Sequence, residues 1–301
     1  MYMKPISLAI CTFNRAENLR VCLQSLADVS TELQSGDEII VLNNNCTDHT
    51  EQVIAEFGAS LPVRSVMAPE QGLAAARNKA LDEFCSQVLV FIDDDVRLAD
   101  GFINAYRHAH MTDQYDFWGG QLRVDWDGPK PRGLQREDLP LLSGLLGHYD
   151  PAPDGAQYDF DIALPFGANF AVSRNLVNNT GRFDTRLGVK GTGLGRGEET
   201  EYFQRALELG FRGRYLRNAL AYHRVDQRRL SIVQLLRFGI AKGQFEVGQA
   251  ANPRSGSIVQ AILFGVKAIA QLIKGRRDRY YQSLINSGIE IGLSQRTTNE
   301  F

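Results

Sequence analysis

The sequence predicts an α/β domain built on a mainly parallel sheet with flanking helices, followed by a helical C-terminal extension. Three observations carry this. Short apolar runs recur over the first hundred residues, each followed by a helical pattern, which is the spacing of strand–helix–strand units with right-handed crossovers. Polar clusters fall at the carboxyl ends of those runs, where open parallel sheets bind ligands. The charge balance also changes sharply along the chain: residues 1–210 hold 18 Lys/Arg against 30 Asp/Glu, and residues 211–301 hold 15 against 5.

Ile6-Ser7-Leu8-Ala9-Ile10 reads as the first buried strand and ends in Cys11-Thr12-Phe13-Asn14-Arg15. Asn14 with Glu17 three residues on has a capping-box pattern, and Leu19, Leu23 and Leu26 then share one helical face. Ile39 to Leu42 is the second strand and runs into Asn43-Asn44-Asn45-Cys46-Thr47-Asp48, a polar turn that opens a helix toward Phe57. Pro62 to Met67 is the third. Glu70-Gln71-Gly72 turns into an Ala-rich helix from Leu73 to Phe84, and Val88 to Ile92 is the fourth and most apolar strand. Farther on, Gly197 to Gly210 reads as a helix with acidic residues in its first turn and a glycine stop. Leu230–Phe245 and Ser257–Ile273 read as two more helices.

The whole chain of 301 residues has a net charge of −2, which gives no electrostatic footprint for nucleic acid. The acidic part suits a metal. The basic part suits phosphates, an anionic membrane or the acidic part itself. Four cysteines without CxxC spacing argue against a zinc site or a disulfide framework and fit a reducing compartment. The N-terminus lacks the pattern of a signal peptide, so a cytoplasmic location is expected.

Asp93-Asp94-Asp95 follows five apolar residues directly. Adjacent carboxylates repel, and desolvating them without a partner costs on the order of several kcal/mol each. A bound Mg²⁺ or Mn²⁺ removes that cost and can bridge to substrate phosphates; a solvated acidic turn is the other reading. Asn43 and Asn44 carry amide groups suited to a base edge, and Arg77, on the helix after Gly72, can approach a phosphate or base. A P-loop motif is absent. Gly191–Gly197 does not match GxGxxG in any register and reads as a loop.

These motifs in their order, continued by Gln71-Gly72-Leu73-Ala74-Ala75-Ala76-Arg77-Asn78, Gly167-Ala168-Asn169-Phe170, Gly181-Arg182-Phe183-Asp184, Gly197-Glu198-Glu199-Thr200-Glu201 and Tyr222-His223, resemble glycosyltransferase family 2 over roughly residues 5–225. The resemblance implies a GT-A fold and inverting transfer from a nucleotide-diphosphate sugar, with a UDP-sugar as the expected donor. It implies a nucleotide-sugar half at about 1–97, an acceptor half at about 98–225 and an extension over 226–301. Thr12, Phe13, Asn14 and Arg15 match the nucleotide loop. Asn44 stands where an aspartate usually reads uracil, and Arg77 matches a residue near the base and diphosphate. Asp93 and Asp95 match the ends of a DXD motif, the first near the ribose and the second on the metal, with Asp94 between them. His223 matches a late histidine of the metal shell; a structural histidine is the alternative. Glu199 matches the general base, with Glu198 as its understudy, while a capped and solvated helix end is the bland reading of the same residues. Gly167, Ala168 and Asn169 are expected on the acceptor and sugar side, together with the loop Asp125–Asp161.

A glycan, a lipid-linked molecule or a small molecule could be the acceptor, in polysaccharide or glycoconjugate synthesis. A sugar-nucleotide pyrophosphorylase is disfavoured because its early glycine-rich loop is replaced by Thr12–Arg15. A non-catalytic nucleotide-sugar binding module is disfavoured by the triple aspartate and Glu199. In the tail, Ile258, Ile262, Val266, Ile269 and Ile273 form an apolar face beside the basic cluster Lys274–Tyr281. That combination suits the inner face of a membrane, a homodimer interface, or packing on the domain.

Overall fold

The computed structural model describes residues 4–112, 114–131, 140–159, 162–191, 196–249 and 258–296. The four expected strands are β1 (Ser7–Thr12), β2 (Glu38–Asn43), β3 (Val63–Met67) and β4 (Val88–Asp93). Between them run α1 (Ala16–Asp28), α2 (Thr50–Phe57) and α3 (Leu73–Glu83). Then come β5 (Val96–Leu98), α4 (Phe102–Thr112), β6 (Phe117–Asp127), α5 (Pro140–Leu146), β7 (Asn169–Ser173), α6 (Arg174–Thr180), α7 (Glu198–Glu208) and β8 (Gly213–Asp226). The sheet has eight strands in the order β3-β2-β1-β4-β7-β6-β8-β5. β1 pairs in parallel with β2 and β4, and β2 with β3. The other half is antiparallel, with β7 against β4 and β6, and β5 against β8. Parallel strands covered on both faces need continuous apolar side chains, and Val88 to Ile92 are all buried.

The expected cap of α1 is corrected. Arg15, not Asn14, occupies the N-cap position and makes no side-chain capping bond. Asn14 adopts a left-handed φ of 52°, and its Oδ1 accepts from the Thr47 amide at 2.7 Å. The Ala16 amide is satisfied instead by Asp48 Oδ2 at 3.0 Å.

The described residues form two compact units. The first draws on Met1–Arg123, Tyr149–Gly191 and Glu198–Arg224; the second draws on Val124–His148, Thr192–Gly197 and Val225–Phe301. A single break at residue 225 is therefore replaced by an interleaved division. The reason is packing: Val124, Trp126, Leu142 and Leu146 join the second unit's core, with Leu235, Phe238, Leu284, Ile285 and Leu293. That unit holds α5, α8 (Ile232–Gln249), α9 (Ile258–Ile273) and α10 (Arg277–Arg296). α5 lies inside the stretch expected to be a loop, and α10 was not expected at all. Gly239 and Gly288 lie where any Cβ would meet the facing helix backbone, so α8 and α10 cross in close contact. Residues Thr192 to Gly195 of the glycine-rich segment lie outside the described residues, as do 132–139 and 160–161 of the Pro/Gly-rich segment.

Candidate active site

The carboxyl ends of β1, β2 and β4 bring three of the polar clusters to one edge. In-register pairing places Thr12 beside Asn43 and Cys11 beside Asp93. Asp94 and Asp95 are buried. Thr12 Oγ1 donates to Asp94 Oδ2 at 2.7 Å. Arg15 ties the pair together, with Nη1 2.7 Å from Asp94 Oδ1 and Nη2 2.7 Å from Asp95 Oδ2. Burial pushes the Asp94 carboxyl up to about 7, with the Arg15 charge pulling the other way.

His223 enters from β8. Its neighbour in the β5–β8 ladder is Val96, the residue after Asp95, and the Arg224 amide donates to the Asp95 carbonyl at 2.8 Å. His223 Nε2 therefore lies 3.4 Å from Asp95 Oδ1, both side chains being buried. An oxygen and a nitrogen donor at this separation fit adjacent positions on a small divalent ion, whose ligands at about 2.0–2.1 Å in octahedral geometry stand roughly 3 Å apart. Among the described residues, no group of three His, Cys, Asp or Glu side chains forms a cage by itself. Mg²⁺ sites often have few protein ligands and are completed by water and substrate phosphate.

The second half of the site is built on Arg77. It was expected near the base and diphosphate; its guanidinium instead lies in the interior, 2% exposed. Nη1 is 2.7 Å from Glu198 Oε1, and Nη2 donates to the Gly167 carbonyl at 2.9 Å. The same group lies 3.9 Å from Glu199 Oε2 and 3.9 Å from Asp93 Oδ1. Phe170 and Phe183 flank it, at 5.4 and 5.8 Å from their ring centroids. One arginine thus joins the end of β4 to the first turn of α7. Burial and the neighbouring Glu199 push Glu198 up to about 8, against the pull of Arg77. Glu199 keeps 19% of its side chain exposed, against 4% for Glu198.

Several expected contact residues turn out to build the walls. Asn44 Nδ2 donates to the carbonyls of Ala68 and Glu70, while its Oδ1 accepts from the Gly72 amide and from Gln71 Nε2. All four bonds of that amide are used, so its side chain shapes the turn and does not face a base. Asn43 donates to Glu51 and accepts from the Cys46 amide. Asn169 is fully buried: it accepts from the Tyr106 hydroxyl at 2.6 Å and donates to the Gln121 and Ala219 carbonyls. It therefore holds β6, β7 and β8 together, and the expected acceptor-side contact is corrected. Ala168 is also buried. Gly167 does border the acids, since a Cβ there would meet Arg77 Nη2 at 2.7 Å and Glu199 Oε1 at 3.3 Å. Phe13 is half-buried and Asn14 exposed at the rim.

Sequence reasoning missed Lys190. The Leu73 amide donates to the Val189 carbonyl at 2.9 Å, and a Cβ on Gly72, whose φ is 139°, would lie 3.2 Å from Lys190 Cγ. No local pattern marks Lys190. The Gly181–Phe183 motif is docked by Asn78, which donates to the Phe183 carbonyl and accepts from its amide.

The glycosyl transferase family 2 model matches residues 7–177. The chain is 28% identical over 92 residues to the glycosyltransferase AglE of Haloferax volcanii; the match spans 30% of this chain and 30% of that curated relative's length. Among solved structures it is similar to the mannosyltransferase PcManGT of Pyrobaculum calidifontis in complex with GDP-Man and Mn²⁺. That likeness has a TM-score of 0.62 and 16% identity, over 98% of this chain and 89% of that one. It is also similar to S. aureus TarS 1-349 in complex with UDP-GlcNAc, with a TM-score of 0.53 and 14% identity over 98% and 92% of the two chains. At such identities the likeness establishes the fold, GT-A. With more than half of its length matched by the family model, the chain belongs to glycosyl transferase family 2.

Proposed function

We propose that the chain moves a sugar from a nucleotide-diphosphate sugar to an acceptor hydroxyl, inverting the anomeric centre, in polysaccharide or glycoconjugate synthesis. The observation that carries this reading is the span of Arg77. A single guanidinium lies within 3.9 Å of Asp93 at one end and of both Glu198 and Glu199 at the other. Acids about a hundred residues apart in sequence therefore meet at one guanidinium, which supports a site with a donor edge at Asp93 and an acceptor edge at Glu199.

Glu199 is the general base. It is the more exposed of the two glutamates, with Arg77 3.9 Å away and a side-chain hydrogen bond to Glu198 that orients it. Glu198 bonds Arg77 directly and is a positioning residue. Asp95 and His223 would hold Mg²⁺ or Mn²⁺, which supplies positive charge beside the leaving diphosphate. Arg15, 39% exposed at the same edge, is the chain's own cation for the phosphates. Thr12 fixes Asp94 and so the conformation of the triple aspartate. The structural relatives bind GDP-Man in one case and UDP-GlcNAc in another; a UDP-sugar is the first donor to test.

The test is Glu199→Gln, assayed for donor binding by calorimetry and for transfer by nucleotide release. Donor affinity stays within twofold of wild type, and turnover falls on the order of 10²- to 10⁴-fold. A variant that turns over at the wild-type rate removes Glu199 from the base role.

A further inference from the structure

α9 is packed inside out. Its small residues Ala261 and Ala268 are buried, and the Ala261 carbonyl accepts from Ser287 Oγ of α10 at 2.9 Å. Its large residues point away from the unit: Ile262, Leu263, Val266 and Ile269 are 60–62% exposed, and Ile273 is 81% exposed. Positions 262, 266, 269 and 273 follow the spacing of one helical stripe. A surface helix of a soluble domain normally has the opposite arrangement. No helix among the described residues is long and apolar enough to cross a membrane.

Charge selects the occupant of this face. Lys267 lies on the exposed part of α9, and Lys274, Arg276 and Arg279 follow its C-terminal end, all exposed. A second copy of the chain is a poor match. In a two-fold contact the same patch meets itself, and α9 carries Lys267 and no acidic residue that could pair with it. An anionic bilayer surface is complementary to both features. Its acyl region accepts the isoleucines, leucine and valine, and its headgroups accept the lysines and arginines.

We propose that α9 lies in the plane of an anionic lipid surface, with Ile262, Leu263, Val266, Ile269 and Ile273 in the acyl boundary and Lys267, Lys274, Arg276 and Arg279 on headgroup phosphates. The inference is independent of the transfer chemistry, since none of these residues belongs to the candidate site.

The test is co-sedimentation of the full chain with vesicles of phosphatidylcholine alone or with about one-third phosphatidylglycerol. The wild-type chain sediments with the anionic vesicles, less so at high salt, and stays in the supernatant with the neutral ones. Ile273→Asp, at an exposed helix end where no core packing is disturbed, reduces binding at least tenfold, as does Val266→Glu with Ile269→Glu. Lys274→Gln with Arg276→Gln reduces it on the order of twentyfold, from about fivefold for each basic residue removed. Circular dichroism and melting temperature of Ile273→Asp stay at wild-type values. Absence of binding to anionic vesicles overturns the proposal, and so does wild-type binding by the Ile273→Asp protein. A concentration-dependent dimer in sedimentation equilibrium that Ile273→Asp dissociates assigns the face to a second copy, and likewise overturns it.

Discussion

Replacing Arg77 by methionine tests the electrostatic frame of the site most directly. Methionine keeps much of the volume of the arginine stem and removes the guanidinium. Glu198 then loses its 2.7 Å partner, the Gly167 carbonyl loses its 2.9 Å donor, and Glu199 and Asp93 lose the cation that lies 3.9 Å from each. Where Glu198 is ionised, above about pH 8, breaking a buried pair from one side costs about 3–5 kcal/mol, because the remaining charge stays desolvated. For a unit of this size that corresponds to a fall in melting temperature of roughly 10 °C. The loss grows with pH, since Glu198 can escape the penalty by protonation at low pH and cannot at high pH. Activity falls further than stability accounts for: a glutamate displaced by about 1 Å costs on the order of 10²-fold in turnover, while donor affinity changes less. Arg77→Lys restores part of the stability through its charge but cannot reach Glu198 and Gly167 together. The assay is a melting series from pH 6 to 9 beside kcat and KM. An Arg77→Met protein that melts within a degree of wild type at pH 9 and keeps its kcat would refute this account.

Glu198 gives the wild-type chain a pH-dependent stability. Its folded carboxyl is raised from 4.5 to about 8, so the folded state holds a proton that the unfolded state has released, and stability falls as pH rises across that interval; Glu198→Gln should flatten the melting curve between pH 5 and 8. Asp37 is a purely structural counterpart: it accepts from the Ile6 amide and pairs with buried Arg107 at 2.6 Å, so Asp37→Ala should lower stability to urea by about 3–5 kcal/mol while the active protein that remains keeps its KM. Chelation, or Asp95→Asn, should abolish the Mn²⁺-dependent part of donor binding by calorimetry, and restored Mn²⁺ should rescue the chelated wild type but not the variant.

The parallel half of the sheet is legible in the sequence because each of its strands is covered on both faces. Such a strand is an apolar run, and its end is an abrupt change to polar residues, as at Ile92–Asp93. The antiparallel half is not legible. β8 breaks its alternation at Leu216–Asn218, and its partners β5 and β6 lie far away in sequence. α10 is obscured by the basic cluster at its start and by Gly288, which makes sense only once α8 is placed against it. In the site, residue types were readable but allegiances were not. Asn44 has the groups a base reader needs, yet its hydrogen bonds close on Ala68, Glu70, Gln71 and Gly72. Asn169 has the groups to meet an acceptor, yet they bond β6, β8 and Tyr106 of α4. Arg77 belongs to a motif that suggested phosphate, and burial turned it toward Glu198. His223 meets Asp95 only through the β5–β8 register, a pairing across more than a hundred residues that no local pattern encodes.

The two arginines of the acidic cluster differ in exposure. Arg77 is enclosed, so separating it from Glu198 exposes a bare charge to the interior at a cost of about 3–5 kcal/mol. Arg15 is 39% exposed, so water reaches its guanidinium, while the Asp94 and Asp95 carboxylates it pairs with are buried. Solvent therefore reaches the guanidinium on the Arg15 side and not on the Arg77 side. The Arg15 side also holds Asp95 and His223, whereas on the other side Arg77 bonds Glu198 at 2.7 Å and lies 3.9 Å from Glu199. The proposed transfer needs such a division: the proposed donor end must admit and release a charged nucleotide at every turnover, and the proposed base must stay where it is.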